Sequence, residues 1–172
     1  MESLTQQQYS IEKLNKSHQR QSFSCGIESL DTYIYKQAMQ DERRYIAVSY
    51  VLNDHESNKM IGYYTLSSST IEITDLPDEV ATKLPHYPLL PATLIGRLAI
   101  DKQYQRAGFG EILLIDALKR AYRNSQEIAS LAVIVDAINA QAKNFYKKYG
   151  FISLASQKKD KLYLPMQVIE KL

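Results

Sequence analysis

A mixed α/β fold around one central sheet of about six to seven strands is predicted by three features of this 172-residue chain. The first half carries short apolar and β-branched runs separated by polar turns, which read as antiparallel strands. A strand–helix–strand unit follows between Leu94 and Val135, and such a crossover joins parallel strands. The chain closes with a glycine-terminated helix and two more short strands. Its length fits a single domain over residues 1–172 with a substantial core.

Taken in order, Tyr9–Leu14 reads as the first strand. Ile27–Glu42 reads as a helix, because Leu30, Tyr33, Ile34, Gln37 and Ala38 follow the 3.6-residue period. Residues 46–52 and 60–67 form a hairpin about the polar turn Asn53–Asn58. Leu76–Leu84 is a short helix with Pro77 in its first turn. Pro85, Pro88 and Pro91 fix φ and give a stiff extended connection. Leu94–Ile100 is a strand. Gly108–Tyr122 is the strongest helix of the chain, with Leu113, Leu114, Ala117, Leu118, Ala121 and Tyr122 on one face. Leu131–Val135 is a continuous apolar run typical of a buried parallel strand. Ala140–Tyr149 is a helix stopped by Gly150. Phe151–Leu154 and Lys161–Leu164 close the sheet.

Composition narrows the class. No apolar run reaches the roughly 20 residues that span a bilayer, and the N-terminus has no basic region followed by an apolar stretch. A single cysteine, Cys25, excludes an intramolecular disulfide, and the simplest compartment is a reducing cytoplasm. No cluster of metal-ligating residues stands out. The net charge of +2 hides an asymmetry. Residues 1–91 hold 8 Lys/Arg against 12 Asp/Glu, whereas residues 92–172 hold 13 against 7. A basic second half suits a polyanion, either a phosphorylated cofactor or a nucleic acid; a solvated basic face has the same composition.

The chemistry-bearing segment is Gln105-Arg106-Ala107-Gly108-Phe109-Gly110, placed where a strand turns into a helix. Glycine permits positive φ and lets a phosphate approach the backbone without a Cβ in the way. The first N–H groups of the helix have no internal partner, and the macrodipole favours an anion there. On its own, Gly-x-Gly is also an ordinary strand-to-helix turn. It lacks the Gly-Lys-Ser/Thr of a Walker A loop and the third glycine of a dinucleotide fingerprint.

Gly96-Arg97-Leu98-Ala99-Ile100-Asp101, followed by Tyr104 to Gly110, resembles the central motif of the GNAT superfamily of N-acetyltransferases, Q/R-x-x-G-x-G/A. Gln105, Gly108 and Gly110 occupy its fixed positions, and Arg106 replaces a residue that is often small. Asn139-Ala140-Gln141-Ala142-Lys143-Asn144-Phe145-Tyr146-Lys147-Lys148-Tyr149-Gly150-Phe151 resembles the second motif, N-x-x-A-x-x-F-Y-x-x-x-G-F, at every fixed position. The resemblance implies the GNAT fold, a sheet splayed at its central parallel pair with helices on both faces, and acetyl-CoA as donor. It implies that the pantetheine arm pairs with backbone groups of Leu98, Ala99 and Ile100. Gln105, Arg106, Ala107, Gly108, Phe109 and Gly110 then cradle the pyrophosphate, and Asn139 and Tyr146 also contact the cofactor. Tyr146 is implied as the general acid for the departing thiolate; Phe145 and Phe151 are assigned to the core. Asn139 also reads as an N-cap.

A narrower resemblance spans nearly the whole chain. Ser22-Phe23-Ser24-Cys25-Gly26 with Leu30-Asp31 and Tyr33, Gly62 to Ser67, the Pro-rich Leu84 to Pro91, and Leu162 to Met166 are similar to the GNAT toxins of bacterial toxin–antitoxin modules. This implies acetylation of the α-amine of aminoacyl-tRNA, a block of translation, a small ribbon-helix-helix antitoxin as partner, and a homodimer as one possible assembly. Arg97, Lys143 and Lys147 are the candidate substrate contacts. The alternatives are a GNAT enzyme acting on a protein N-terminus, a small amine or an antibiotic, and a non-catalytic CoA-binding or DNA-binding adaptor. Cys25 as a nucleophile has no histidine in a supporting motif and reads as structural.

Overall fold

The computed structural model describes residues 8–155 and 160–172. Strand β1 (Tyr9–Lys13) is followed by helix α1 (Glu28–Thr32), a π-helical turn (Tyr33–Gln37) and helix α2 (Ala38–Arg43). Strands β2 (Val48–Asp54) and β3 (Lys59–Glu72) come next, then a 3-10 turn (Ile73–Asp75) and helix α3 (Asp78–Ala81). Strand β4 (Leu89–Ile100), a 3-10 turn (Lys102–Tyr104) and helix α4 (Phe109–Ser125) lead to β5 (Ala132–Asp136) and α5 (Ala140–Lys148). The chain ends with β6 (Ile152–Ser153), β7 (Lys161–Pro165) and α6 (Met166–Ile169).

The seven strands form one mixed sheet in the order β1-β2-β3-β4-β5-β7-β6. The pairs β1–β2, β5–β7 and β6–β7 are antiparallel, and β4–β5 is parallel. The parallel ladder matches Ala92–Ile95 with Ala132–Val135. It ends next to the end of β5 at Asp136, whereas β4 runs on to Ile100.

Contacts divide the chain into two compact units. One contains the residues up to Thr65 together with Arg97–Asp116; the other contains Leu66–Gly96 and Ala117–Leu172. The core of the first gathers Leu30, Tyr33 and Ile34 from the first helical segment, Val51 and Tyr63 from the antiparallel strands, and Ala99 from β4. The core of the second gathers Ile71, Leu90, Ala92, Ala132, Ile134 and Tyr163. In α4, Leu113, Leu114, Ala117, Leu118 and Ala121 are buried, while Tyr122, at the end of the apolar stripe read from the sequence, is half-buried.

Several boundaries differ from expectation for physical reasons. The helix predicted over Ile27–Glu42 contains a π turn, which adds a residue to one turn. Gln37, expected on the buried face, is exposed while Ala38 and Asp41 are buried. The Tyr33 hydroxyl and the Gln37 amide both donate to the Asp41 carboxylate at 2.9 Å, bracing that turn. Strand β4 begins at Leu89 and takes in Pro91. Proline lacks a donor, yet its carbonyl still accepts from Leu131 N–H at 2.8 Å. Strand β3 runs five residues beyond Ser67 to Glu72. Helix α6, four residues long, is too short to leave a periodic signal.

The glycine with the tightest surroundings is Gly62 on β3. A Cβ there would stand 2.6 Å from the Ala99 carbonyl oxygen, 2.7 Å from Ile100 Cδ1 and 2.9 Å from Leu113 Cδ1. The first is backbone and cannot rotate away. Gly62→Ala should therefore destabilise the fold by about 1–3 kcal/mol, read as a lower midpoint in urea unfolding. Equal midpoints for Gly62→Ala and the parent would show that the strand spacing is not set here.

Candidate active site

The site in the first unit is built from the end of β4 and the turn after it. The Asp101 N–H donates to the Ile61 carbonyl at 2.8 Å, fixing the strand end. The buried Asp101 carboxylate accepts from the Ser24 and Gln103 backbone amides, both at 3.0 Å. The Lys102 N–H donates to the Ser24 carbonyl at 2.8 Å. Gln105 completes the brace: its amide nitrogen donates to the carbonyls of Cys25 and Ile100, both at 2.9 Å. The side chain of this motif glutamine thus ties two backbone segments together, and the Ile100 carbonyl is engaged by it.

Beyond Gln105 the backbone turns through the left-handed region twice, at Arg106 (φ 64°) and Gly108 (φ 86°). Arg106 adopts this conformation without being glycine, and its side chain is exposed. Gly110 lies inside the first turn of α4, so only Gly108 of the two motif glycines is needed for positive φ. A Cβ at Gly108 would have no heavy atom within 4 Å, so the space in front of this turn is open. The helix that starts here is 17 residues long, and its first N–H groups and dipole face that space. Phe109 anchors the turn, with its ring edge-on to Tyr9 (5.4 Å) and Tyr104 (5.9 Å). Open room, a positive helix end and an exposed guanidinium fit a pyrophosphate.

The same unit holds Arg97. Its guanidinium carbon lies 3.4 Å from the centroid of the Tyr33 ring, a cation–π contact. Tyr33 in turn stacks on Tyr63 at 6.4 Å, and the Tyr63 hydroxyl donates to the Leu30 carbonyl at 2.7 Å. Burial, and then the hydrogen bond to Asp41, push the Tyr33 hydroxyl up to about 12, so it remains a donor at neutral pH. Tyr33 reads from the sequence as a buried-face residue of the first helix, within the segment similar to the toxins; its contact with Arg97 leaves no periodic signal. Cys25 is buried, and burial followed by the hydrogen bond with Asp31 pushes its thiol up to about 11. It is a core thiol with negligible thiolate at neutral pH.

The second unit carries the other motif. Asn139 is the N-cap of α5, its side-chain oxygen accepting from the Ala142 N–H at 2.8 Å. Tyr146 is buried on this helix at 6% exposure. Its ring meets Phe145 and Phe151, each at 5.3 Å. Gly150, at φ 94°, reverses the chain so that the Phe151 N–H reaches the Tyr146 carbonyl at 3.2 Å. Desolvation raises the Tyr146 hydroxyl above the ordinary phenol range. Phe151 is in the core as expected; Phe145 is half-buried and also meets Tyr149 at 5.1 Å. Lys143 is half-buried and Lys147 exposed. Among the described residues no group of three His, Cys, Asp or Glu side chains is placed to hold a metal, and no helix is long and apolar enough to cross a membrane.

These features define a GNAT acetyltransferase, and comparison with known proteins agrees. Residues 89–169 match the acetyltransferase (GNAT) domain. The chain is 32% identical over 130 residues to a tRNA-acetylating toxin of Mycobacterium tuberculosis, covering 76% of each protein. It superposes on AtaT complexed with acetyl-methionyl-tRNAfMet with a TM-score of 0.88 and 31% identity, over 95% of this chain and 98% of that one. A mutant AtaT bound to acetyl-CoA and the C-terminus of the antitoxin AtaR superposes with a TM-score of 0.81 and 27% identity, over 95% and 97%. The chain belongs to the GNAT acetyltransferase family, in the group of its toxin members. It is an N-acetyltransferase that uses acetyl-CoA.

Gly108→Asp would put a side chain and a negative charge into the open turn at a backbone angle that disfavours any Cβ. Calorimetry should show acetyl-CoA affinity lost with the fold retained; unchanged affinity in a folded variant would remove the pyrophosphate assignment. Cys25→Ala should retain full acetyl transfer, and the parent thiol should resist alkylation at pH 8 until the protein is unfolded. Rapid labelling of the folded parent with loss of activity would contradict the structural role of Cys25.

Proposed function

We propose that this enzyme acetylates the α-amine of aminoacyl-tRNA and so blocks translation, with Tyr146 as the general acid. The observation that carries the mechanism is Tyr146 itself. It is a phenol on the second motif helix, buried among aromatic rings and held above its ordinary range by desolvation alone. Such a group stays neutral and keeps its proton at every working pH. Acetyl-CoA, when bound, supplies an activated acetyl thioester. The task left to the protein is to give a proton to the departing sulfur. Tyr146 carries that proton at neutral pH, and its role rests on its place in the second motif, since desolvation by itself weakens a phenol as an acid.

The substrate reading follows from the tRNA-acetylating relatives and from the chemistry of the amine. An α-amine has a pKa of about 7.7–8, against about 10.4 for lysine. Much of it is neutral near pH 7.5, so the demand on a general base is small. Arg97, held over Tyr33, and Lys143 and Lys147 on α5 are the proposed contacts to the RNA. Leu98, Ala99 and Ile100 pair with the pantetheine arm, residues Gln105 to Gly110 shape the pyrophosphate cradle, and Asn139 adds a side-chain contact. The enzyme acts in the cytoplasm, is held inactive by a small ribbon-helix-helix antitoxin, and works as a homodimer.

Tyr146→Phe keeps the ring and so the packing of α5. Single-turnover acetyl transfer should fall about 10²–10⁴-fold with acetyl-CoA affinity little changed, while Tyr149→Phe stays near the parent. Loss with Tyr149→Phe alone would move the assignment by one helical turn. In the parent, the rate should rise with pH as the amine deprotonates, near pH 7.7–8, and then level without a fall as far as pH 9.5, because Tyr146 remains protonated there. Expression without a partner should arrest bacterial growth and leave N-acetylated aminoacyl-tRNA; harmless expression together with unlabelled tRNA would end the toxin reading.

A further inference from the structure

By composition the first half of the chain is acidic and a poor candidate for RNA contact. The structure distributes those charges unevenly. In the run Asp41-Glu42-Arg43-Arg44 at the end of α2, the two acids are engaged elsewhere. Asp41 is buried and receives the Tyr33 and Gln37 donors. Glu42 pairs with Lys13 at 3.0 Å. Arg43 and Arg44 are both exposed, and among the described residues neither has a carboxylate partner.

Tyr45 follows them. The chain ends α2 with the two bonds of a Schellman motif: the Ile46 N–H donates to the Asp41 carbonyl at 2.9 Å and the Tyr45 N–H to the Glu42 carbonyl at 3.1 Å. Tyr45 therefore occupies the left-handed position that glycine normally takes, at φ 59°. The residue is 97% exposed and among the described residues makes no ring contact or hydrogen bond through its side chain that would offset the strained backbone. A bulky residue in this conformation with no packing role is an outlier that points to function.

We propose that Arg43, Arg44 and Tyr45 form a contact for the unpaired end of the RNA that carries the amino acid, an inference that rests on the tRNA reading above. Two free guanidiniums bind phosphates, and an exposed ring offers a sequence-tolerant platform for an unpaired base. A helix C-terminus favours cations by itself, which accounts for the arginines. It does not account for the ring.

The test measures binding of purified uncharged tRNA to the full-length protein across a salt series. Arg43→Gln with Arg44→Gln should weaken binding about tenfold at 0.15 M salt and make the log–log salt dependence shallower by about 1.4, the value for two single-strand phosphates. Tyr45→Gly should also weaken it roughly tenfold, but with the salt slope kept and with a melting temperature equal to or above the parent's, because glycine relieves the positive φ. A ring that mattered only to folding would do the reverse, lowering the melting temperature and sparing tRNA. Parent-like tRNA affinity in both variants would overturn the proposal, as would a shift from dimer to monomer with tRNA affinity kept, which would make the corner a contact between protein copies. If the parent neither binds nor acetylates tRNA, the substrate reading itself fails, and that result is visible before any variant is made.

Discussion

The turn between β4 and α4 is held by side chains that bond to backbone. Asp101 gathers two amides and Gln105 two carbonyls, so the Ser24–Cys25 segment, the strand end and the helix start are fixed together. The constraint matters because the turn contains two left-handed residues, one of them arginine. Such a backbone persists only when its surroundings over-determine it. With the turn rigid, the donors at the helix start need little reorganisation when an anion arrives, which is the condition for electrostatic stabilisation to be effective. Gly62 sets the other limit, by letting the β4 backbone lie where a side chain at position 62 would collide with the Ala99 carbonyl.

Burial raises the proton affinity of Cys25, Tyr33 and Tyr146, yet the consequences differ. For a thiol, the rise removes the reactive form, and Cys25 becomes inert. Tyr33 combines burial with a donated hydrogen bond to Asp41, so its proton is committed and its ring serves as a platform for Arg97. For Tyr146 the cause is desolvation, which keeps the phenol protonated.

Much of this fold was legible in the sequence because its signals are local. The apolar stripe from Leu113 to Ala121, the continuous run of β5 and the glycine after α5 each determine an element without knowledge of the rest. The motif turn was legible for the same reason, as was the Asn139 cap. What was not legible depends on partners distant in sequence. Gln105 binds a carbonyl 80 residues away, and nothing in its spacing says so. The π turn arises because Tyr33 and Gln37 converge on Asp41, whereas a periodicity argument assumes an unbroken helix. The early start of β4 was hidden by Pro91, whose missing donor reads as a break although its acceptor is still used.

Charge was the least legible property, and the reason is general. Counting Lys and Arg against Asp and Glu treats every ionised side chain as part of the surface. Asp41 is inside the fold, and Glu42 is neutralised by a lysine 29 positions earlier. With those two acids engaged by other groups, Arg43 and Arg44 are left exposed and without a direct carboxylate partner among the described residues, in the half of the chain with the acidic sum. A polyanion responds to the charges within about a Debye length, roughly 8–10 Å, and never to the total over 91 residues. The field that steers RNA to a protein therefore depends on where each charge sits in the fold, a property that exists only once the chain has folded.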